Sequence, residues 1–140
     1  MTSSKQDQKL LALWAAECAE HVLLFFEEHR PQDDRPRKAI EAARAWVRGE
    51  IKCGPARAAA LAAHAAARDA DEGPARAAAR ATGHAAGTAH MAGHAHHAAA
   101  YAIKAVSAAA SETAAATERD WQRQRLPKRL RAAAFPPAKH

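Results

Sequence analysis

Residues 83–101 read GHAAGTAHMAGHAHHAAAY and place five of the chain's nine histidines in a background of alanine and glycine. Alanine is the strongest helix former, and β-branched residues are scarce across all 140 positions, so nearly every long segment favours helix over strand. At about 100° per residue, His90, His94 and His97 fall on one helical stripe, with Gly83 and Gly87 before them and Tyr101 after. After Pro74 no proline interrupts the chain until Pro127, which predicts one long helix from Pro74 to about Ala110. The three glycines inside it each cost about 1 kcal/mol relative to alanine, and predict close helix contact or a local kink.

Upstream, Leu10, Leu13, Trp14, Glu17, Cys18, His21, Val22 and Phe25 recur at three- and four-residue spacing and predict a first helix ending near His29. A turn at Pro31–Asp34 follows, with Asp34 expected to cap a second helix whose buried face is Ile40, Ala43 and Val47. A third helix is expected from Pro55 to Asp71, and a fifth from Ser111 or Thr113 through Trp121 to Arg125, followed by a short basic turn at Pro127. The fold class is therefore all-α, a compact bundle of about five helices forming one domain over residues 9–133. Residues 1–8 and 134–140 read as tails. The starts PRKAIEAARAW, PARAAALAAHAAA and PARAAARATGHAA share a Pro-x-(Arg or Lys)-Ala pattern that gives the bundle a weak αα-repeat character, although simple helix packing explains the same spacing. Trp14, Trp46 and Trp121 sit at helical apolar spacing as core anchors.

The net charge of +6 is uneven. Residues 1–72 hold 11 Lys and Arg against 12 Asp and Glu, while residues 73–140 hold 10 against 3. Arg119, Arg123, Arg125, Lys128, Arg129 and Arg131 concentrate that excess in RDWQRQRLPKRLR, a candidate surface for an acidic partner. No aromatic-interleaved groove or DNA-binding motif accompanies it, so nucleic acid is not the expected partner. No apolar run of about 18 residues is present for a membrane span and no signal-peptide core follows the polar start, which makes the cytoplasm the expected location. Cys18 and Cys53 lack CxxC spacing and read as reduced thiols.

Histidine is the commonest metal ligand and titrates near neutral pH, so the row invites a functional reading. His90 and His94, four apart, can bind one divalent transition metal such as zinc if His21 and Glu17, also four apart, complete the set from another helix. Without metal, Glu17 can orient His21 while His90 or His94 takes a proton and Tyr101 donates a hydrogen bond, with Asp34 and Arg37 as further candidates for catalysis or anion binding. His84, Met91 and His96 lie on neighbouring faces. Ordinary helix-contact hydrogen bonding explains the same histidines. His64, alone on an alanine face, reads as a core or boundary residue, and His96 and His97 read as exposed.

Four segments, LALWAAECAEHVLLFFEE, DDRPRKAIEAARAWVRGE, TAHMAGHAHHAAAYAIKA and ERDWQRQRLPKRL, together resemble a bacterial family of immunity proteins over most of residues 10–131. The resemblance rests on the Glu17-Cys18-x-x-His21 helix with its tryptophan, the DDRPRK turn, the histidine helix and the closing DW and RLP. It implies a small intracellular helical protein that binds and neutralises a protein toxin. Such a role needs a complementary surface and no catalytic centre, so two expectations stand. One is a binding module acting through its basic end. The other is a small metal-binding protein or enzyme with a site between helices one, two and four.

Overall fold

The computed structural model describes residues 4–71 and 73–135, and every regular element among them is helical. In chain order these are α1 (Lys5–Glu27), α2 (Arg35–Val47), α3 (Cys53–Asp69), α4 (Pro74–Gly87), α5 (His94–Ala109), α6 (Glu112–Gln124) and the short α7 (Arg131–Ala134). A 3₁₀ turn at Lys128–Leu130 leads into α7. The all-α expectation holds, but the helices number seven rather than about five, because the expected long helix is split and the basic turn continues into α7.

Helix α4 is the centre and packs against α1, α2, α3 and α5. Most of its residues are buried, and the largest side chain buried there is Thr82, the others being alanine and glycine. A helix apolar on nearly every side belongs inside, and side chains this small let its neighbours approach closely. Bulk comes instead from α1, which buries Leu11, Trp14, Val22, Leu23 and Phe26. The Trp14 indole donates to the Gln122 carbonyl at 2.8 Å, and the Gln122 amide donates to the Ala99 carbonyl at 3.0 Å, so one chain of hydrogen bonds ties α1, α6 and α5. Trp14 also meets Phe135 edge-on at 5.6 Å. Trp46 is buried as expected, whereas Trp121 is only half-buried and stacks on His21.

Helix starts follow local chemistry. Ser4 and Ser111 accept hydrogen bonds from the Asp7 and Ala114 amides, each satisfying a first-turn donor. Asp34 occupies the cap position of α2 but makes no capping bond, and lies 3.3 Å from Lys38 instead. Its neighbour Asp33 accepts the Arg35 amide at 3.1 Å and also grips the Arg35 guanidinium. The shared Pro-x-(Arg or Lys)-Ala pattern marks three helix starts, with Pro36, Pro55 and Pro74 all in first turns, where a missing N–H costs nothing. Gly49 at φ +78° and Gly73 at φ +114° make turns that a side chain would strain. Helix α1 begins at Lys5, inside the stretch read as a tail, and Ala134 is buried at the other end. Residues 1–3 and 136–140 of the two expected tails lie outside the described residues.

The main correction is the break between α4 and α5. The amides of His90 and Met91 both fold back to the Gly87 carbonyl, and the Thr88 hydroxyl donates to the His84 carbonyl. Carbonyls released by the break need partners, and the Gln8 amide of α1 donates to those of Thr88 and Ala89 at 2.9 and 3.2 Å. The acceptors lie some 80 residues from Gln8, beyond the reach of local sequence rules. If close packing around α4 sets the fold, Ala81→Leu should overpack the interior and cost about 1–3 kcal/mol, seen as an earlier urea midpoint at unchanged slope. An unchanged midpoint would show slack between the helices.

Candidate functional site

Three helices bring imidazoles together on one side of the bundle. His64 comes from α3, His84 from α4, and His94 and His97 from α5. The Nδ1 atoms of His84 and His94 face each other at 2.9 Å, so one carries a proton and donates while the other accepts. The His84 ring lies 4.8 Å from that of His64 and 5.1 Å from that of His97, and Tyr101 stacks on it at 5.4 Å.

Two glycines make room for this group. A Cβ on Gly83 would sit 2.6–2.9 Å from the His64 ring, and one on Gly87 would sit 3.1–3.3 Å from the His94 ring. The close contact expected of these glycines is therefore contact with imidazoles. Gly93 has open space around its missing Cβ and starts α5 as its cap residue.

Partial burial holds all four histidines below the ordinary imidazole value, and neighbouring positive charge adds to it. His64 is lowered to about 4, chiefly by burial and then by Arg80, whose Nη1 lies 3.3 Å from His64 Nδ1. His84 is lowered to about 3 by burial and by His64, His94 and His97 around it. His94 and His97 shift in the same direction, again mainly through burial. At neutral pH the group is an uncharged network of donors and acceptors.

The residues singled out from sequence do not converge. His21 Nδ1 lies 2.8 Å from a Glu118 oxygen and its ring stacks on Trp121 at 3.9 Å, so Glu118, not Glu17, is its carboxylate partner. Glu17 pairs with Arg125 at 3.1 Å. Arg37 is exposed, gripping Glu27 through two 2.7 Å bonds rather than pointing inward. His90 falls in the break and faces Cys53, with Nδ1 3.7 Å from Sγ. Of the candidate catalytic and metal-ligating residues, Tyr101 and His94 join the histidine group. Among the described residues no three His, Cys, Asp or Glu side chains are arranged to hold a metal ion, so His90, His94, His21 and Glu17 form no such set. His96 is half-buried against the Ala134 carbonyl at 3.2 Å, while His97 is exposed. His64 and Glu118 were the residues whose partnerships sequence reading missed. The Gly83–Gly87 spacing was the one signal that a bulky group from another helix needed space.

At the basic end, Arg125 also lies over Trp121 at 4.6 Å, Arg129 reaches Asp7 at 2.6 Å, Arg123 covers the Phe135 ring at 4.7 Å, and Arg131 donates to the Leu126 carbonyl. Arg119 and Lys128 are exposed and take no partner among the described residues. Both cysteines are free, and burial, aided by Glu118 and Glu17, pushes the Cys18 thiol far up, so it stays protonated. No helix among the described residues is long and apolar enough to cross a membrane.

The class that the fold defines is a small protein whose described residues form an all-helical bundle. The chain belongs to the Imm-5 like putative immunity protein family, whose model matches residues 1–129. No curated protein and no solved structure matches it.

Two outcomes test the histidine group. Gly83→Ala should gain nothing or lose stability in the native chain, yet stabilise a His64→Ala background by roughly 1 kcal/mol, the usual helix gain on replacing glycine. Equal effects in the two backgrounds would place the His64 ring elsewhere. The pH dependence has a definite sign: folded values below the unfolded 6.5 mean that the unfolded chain binds more protons, so stability is complete above about pH 7. It should fall as pH drops through 6.5 and continue falling towards 4 and 3. Asp33 and Glu20, held low by Arg35 and Arg44, add losses only below the ordinary carboxylate range. Urea melts at pH 7.5, 6 and 5 should thus show a slope that His64→Gln/His84→Gln flattens.

Proposed function

We propose that the protein neutralises a protein toxin by binding it and covering its functional surface. Membership of an immunity family carries this reading. The basic end supports it and supplies a contact surface: Arg119, Arg123, Arg125, Lys128, Arg129 and Arg131 lie along α6, the 3₁₀ turn and α7. Arg123, Arg125, Arg129 and Arg131 are held by rings, carboxylates or a carbonyl, so they lose less freedom when a partner arrives. Arg119 and Lys128 project freely and would steer an acidic partner surface.

The structural ties decide how this is tested. Reversing Arg125 or Arg129 would also break their bridges to Glu17 and Asp7, mixing a fold effect with a binding effect. Arg119→Glu/Lys128→Glu leaves those ties intact. Against the cognate toxin, the double variant should fold normally, bind at least tenfold more weakly through slower association, and lose much of the salt dependence of the native complex. Unchanged affinity would remove this surface from the interface. Failure of the native chain to protect cells that express the toxin would remove the immunity reading itself.

A further inference from the structure

Beside the histidine group, residues Gly73, Arg76, Ala77, Arg80, Tyr101 and Lys104 line a cleft of about 310 Å³ between the start of α4 and the middle of α5. None of the six is acidic. Arg76 and Arg80 are four apart on α4 and share one face, while Tyr101 and Lys104 share a face of α5. The amino end of α4, which carries the positive end of the helix dipole, opens on the cleft at Gly73.

The charge here is organised unlike that elsewhere in the chain. Arg35, Arg37, Arg44, Arg48, Arg125 and Arg129 each meet a carboxylate within 3.1 Å. Arg80 instead meets the neutral His64 imidazole, and among the described residues Lys104 meets only the Tyr101 ring, at 5.8 Å from its centre. Neither contact neutralises a charge. Arg76 is anchored to the Ala67 and Ala70 carbonyls, which fixes its guanidinium at the cleft wall. Half-buried Arg80 is further positioned by the ring that Gly83 accommodates. A concave site with the Arg80 fork, the Lys104 ammonium and the Tyr101 hydroxyl offers donors from several directions and two positive charges that no carboxylate among the described residues meets. It suits a tetrahedral anion of charge near −2.

We infer that this cleft binds a small phosphomonoester, with Arg80 and Lys104 neutralising the phosphoryl group and Tyr101 donating to it. The volume sits at the small end of ligand sites, enough for the phosphoryl group and a short polar remainder. This site is separate from the basic end proposed to meet the toxin.

The probes are inorganic phosphate and glycerol phosphate, titrated by calorimetry and by chemical shifts of the Tyr101 ring, with chloride and acetate at matched ionic strength as controls. Both phosphates should bind saturably in the millimolar range or tighter. Arg80→Gln and Lys104→Gln should each weaken binding by at least tenfold, while Arg119→Gln/Lys128→Gln leaves it unchanged. Arg80→Gln also disturbs His64, so exposed Lys104 provides the variant with no tie to the core. Equal shifts with chloride would reduce the effect to screening, equal binding of acetate would overturn the phosphate assignment, and equal loss in the basic-end variant would deny the cleft any role. A loss of toxin binding in Lys104→Gln with normal phosphate binding would count against the cleft as the phosphate site and leave the immunity reading standing.

Discussion

Most of this structure depends on how small the buried side chains of α4 are. Its buried positions are alanine, glycine and threonine, so four other helices lie against it, and a conventional layer of large apolar residues cannot form there. Alanine buries little area per residue, and the favourable transfer energy must come from many small contacts together with a few bulky groups on α1. Trp14 and Phe26 are essentially inaccessible for that reason. The arginine–carboxylate pairs add little energy individually, since exposed pairs contribute about 0–1 kcal/mol. Their larger effect is to fix register: Arg44–Glu20 and Arg37–Glu27 join α2 to α1, and Arg125–Glu17 joins α6 to α1.

The same lack of bulk creates the histidine group. Gly83 and Gly87 leave two hollows one turn apart on α4, and an imidazole from α3 fills one while an imidazole from α5 fills the other. An aliphatic side chain would fill them as well but would leave His84 between them without a partner. With His94 as its neighbour, His84 has a hydrogen bond, and burial keeps both neutral. Arg80 then supplies a fixed positive charge at the edge of an uncharged cluster, which opposes protonation of His64.

How much of this was legible depends on the range of the interaction. Helix class and the starts at Pro36, Pro55 and Pro74 are set by neighbours in sequence and could be read directly, and a start at Ser111 was one of the two that the local sequence offered. The break after Gly87 could not, because its released carbonyls are satisfied by Gln8 from the other end of the chain. That break also invalidated the histidine stripe. A periodicity argument across residues 83–101 assumes one unbroken helix, and once the chain turns at 88–93, His90 goes to Cys53 and His94 to His84. The Glu17–His21 pairing failed differently: four-residue spacing showed that the two share a face, but not that Glu118 of α6 and Arg125 just after it wait opposite.

Charge links the fold to its proposed use. The carboxylates that anchor Arg125 and Arg129, Glu17 and Asp7, belong to α1, so carboxylates of the evenly charged first half brace the basic second half. These bridges hold guanidinium groups in place yet cancel part of the field a partner would feel. In the proposed complex, Arg119 and Lys128, unstrutted and exposed, would therefore carry the long-range attraction, whereas the held arginines would supply shape once contact is made. At the α4–α5 cleft the division is reversed. Arg80 is held by a neutral ring, so it keeps its full charge while losing its freedom, and this combination would make the proposed phosphate site selective for its anion rather than merely attractive to one.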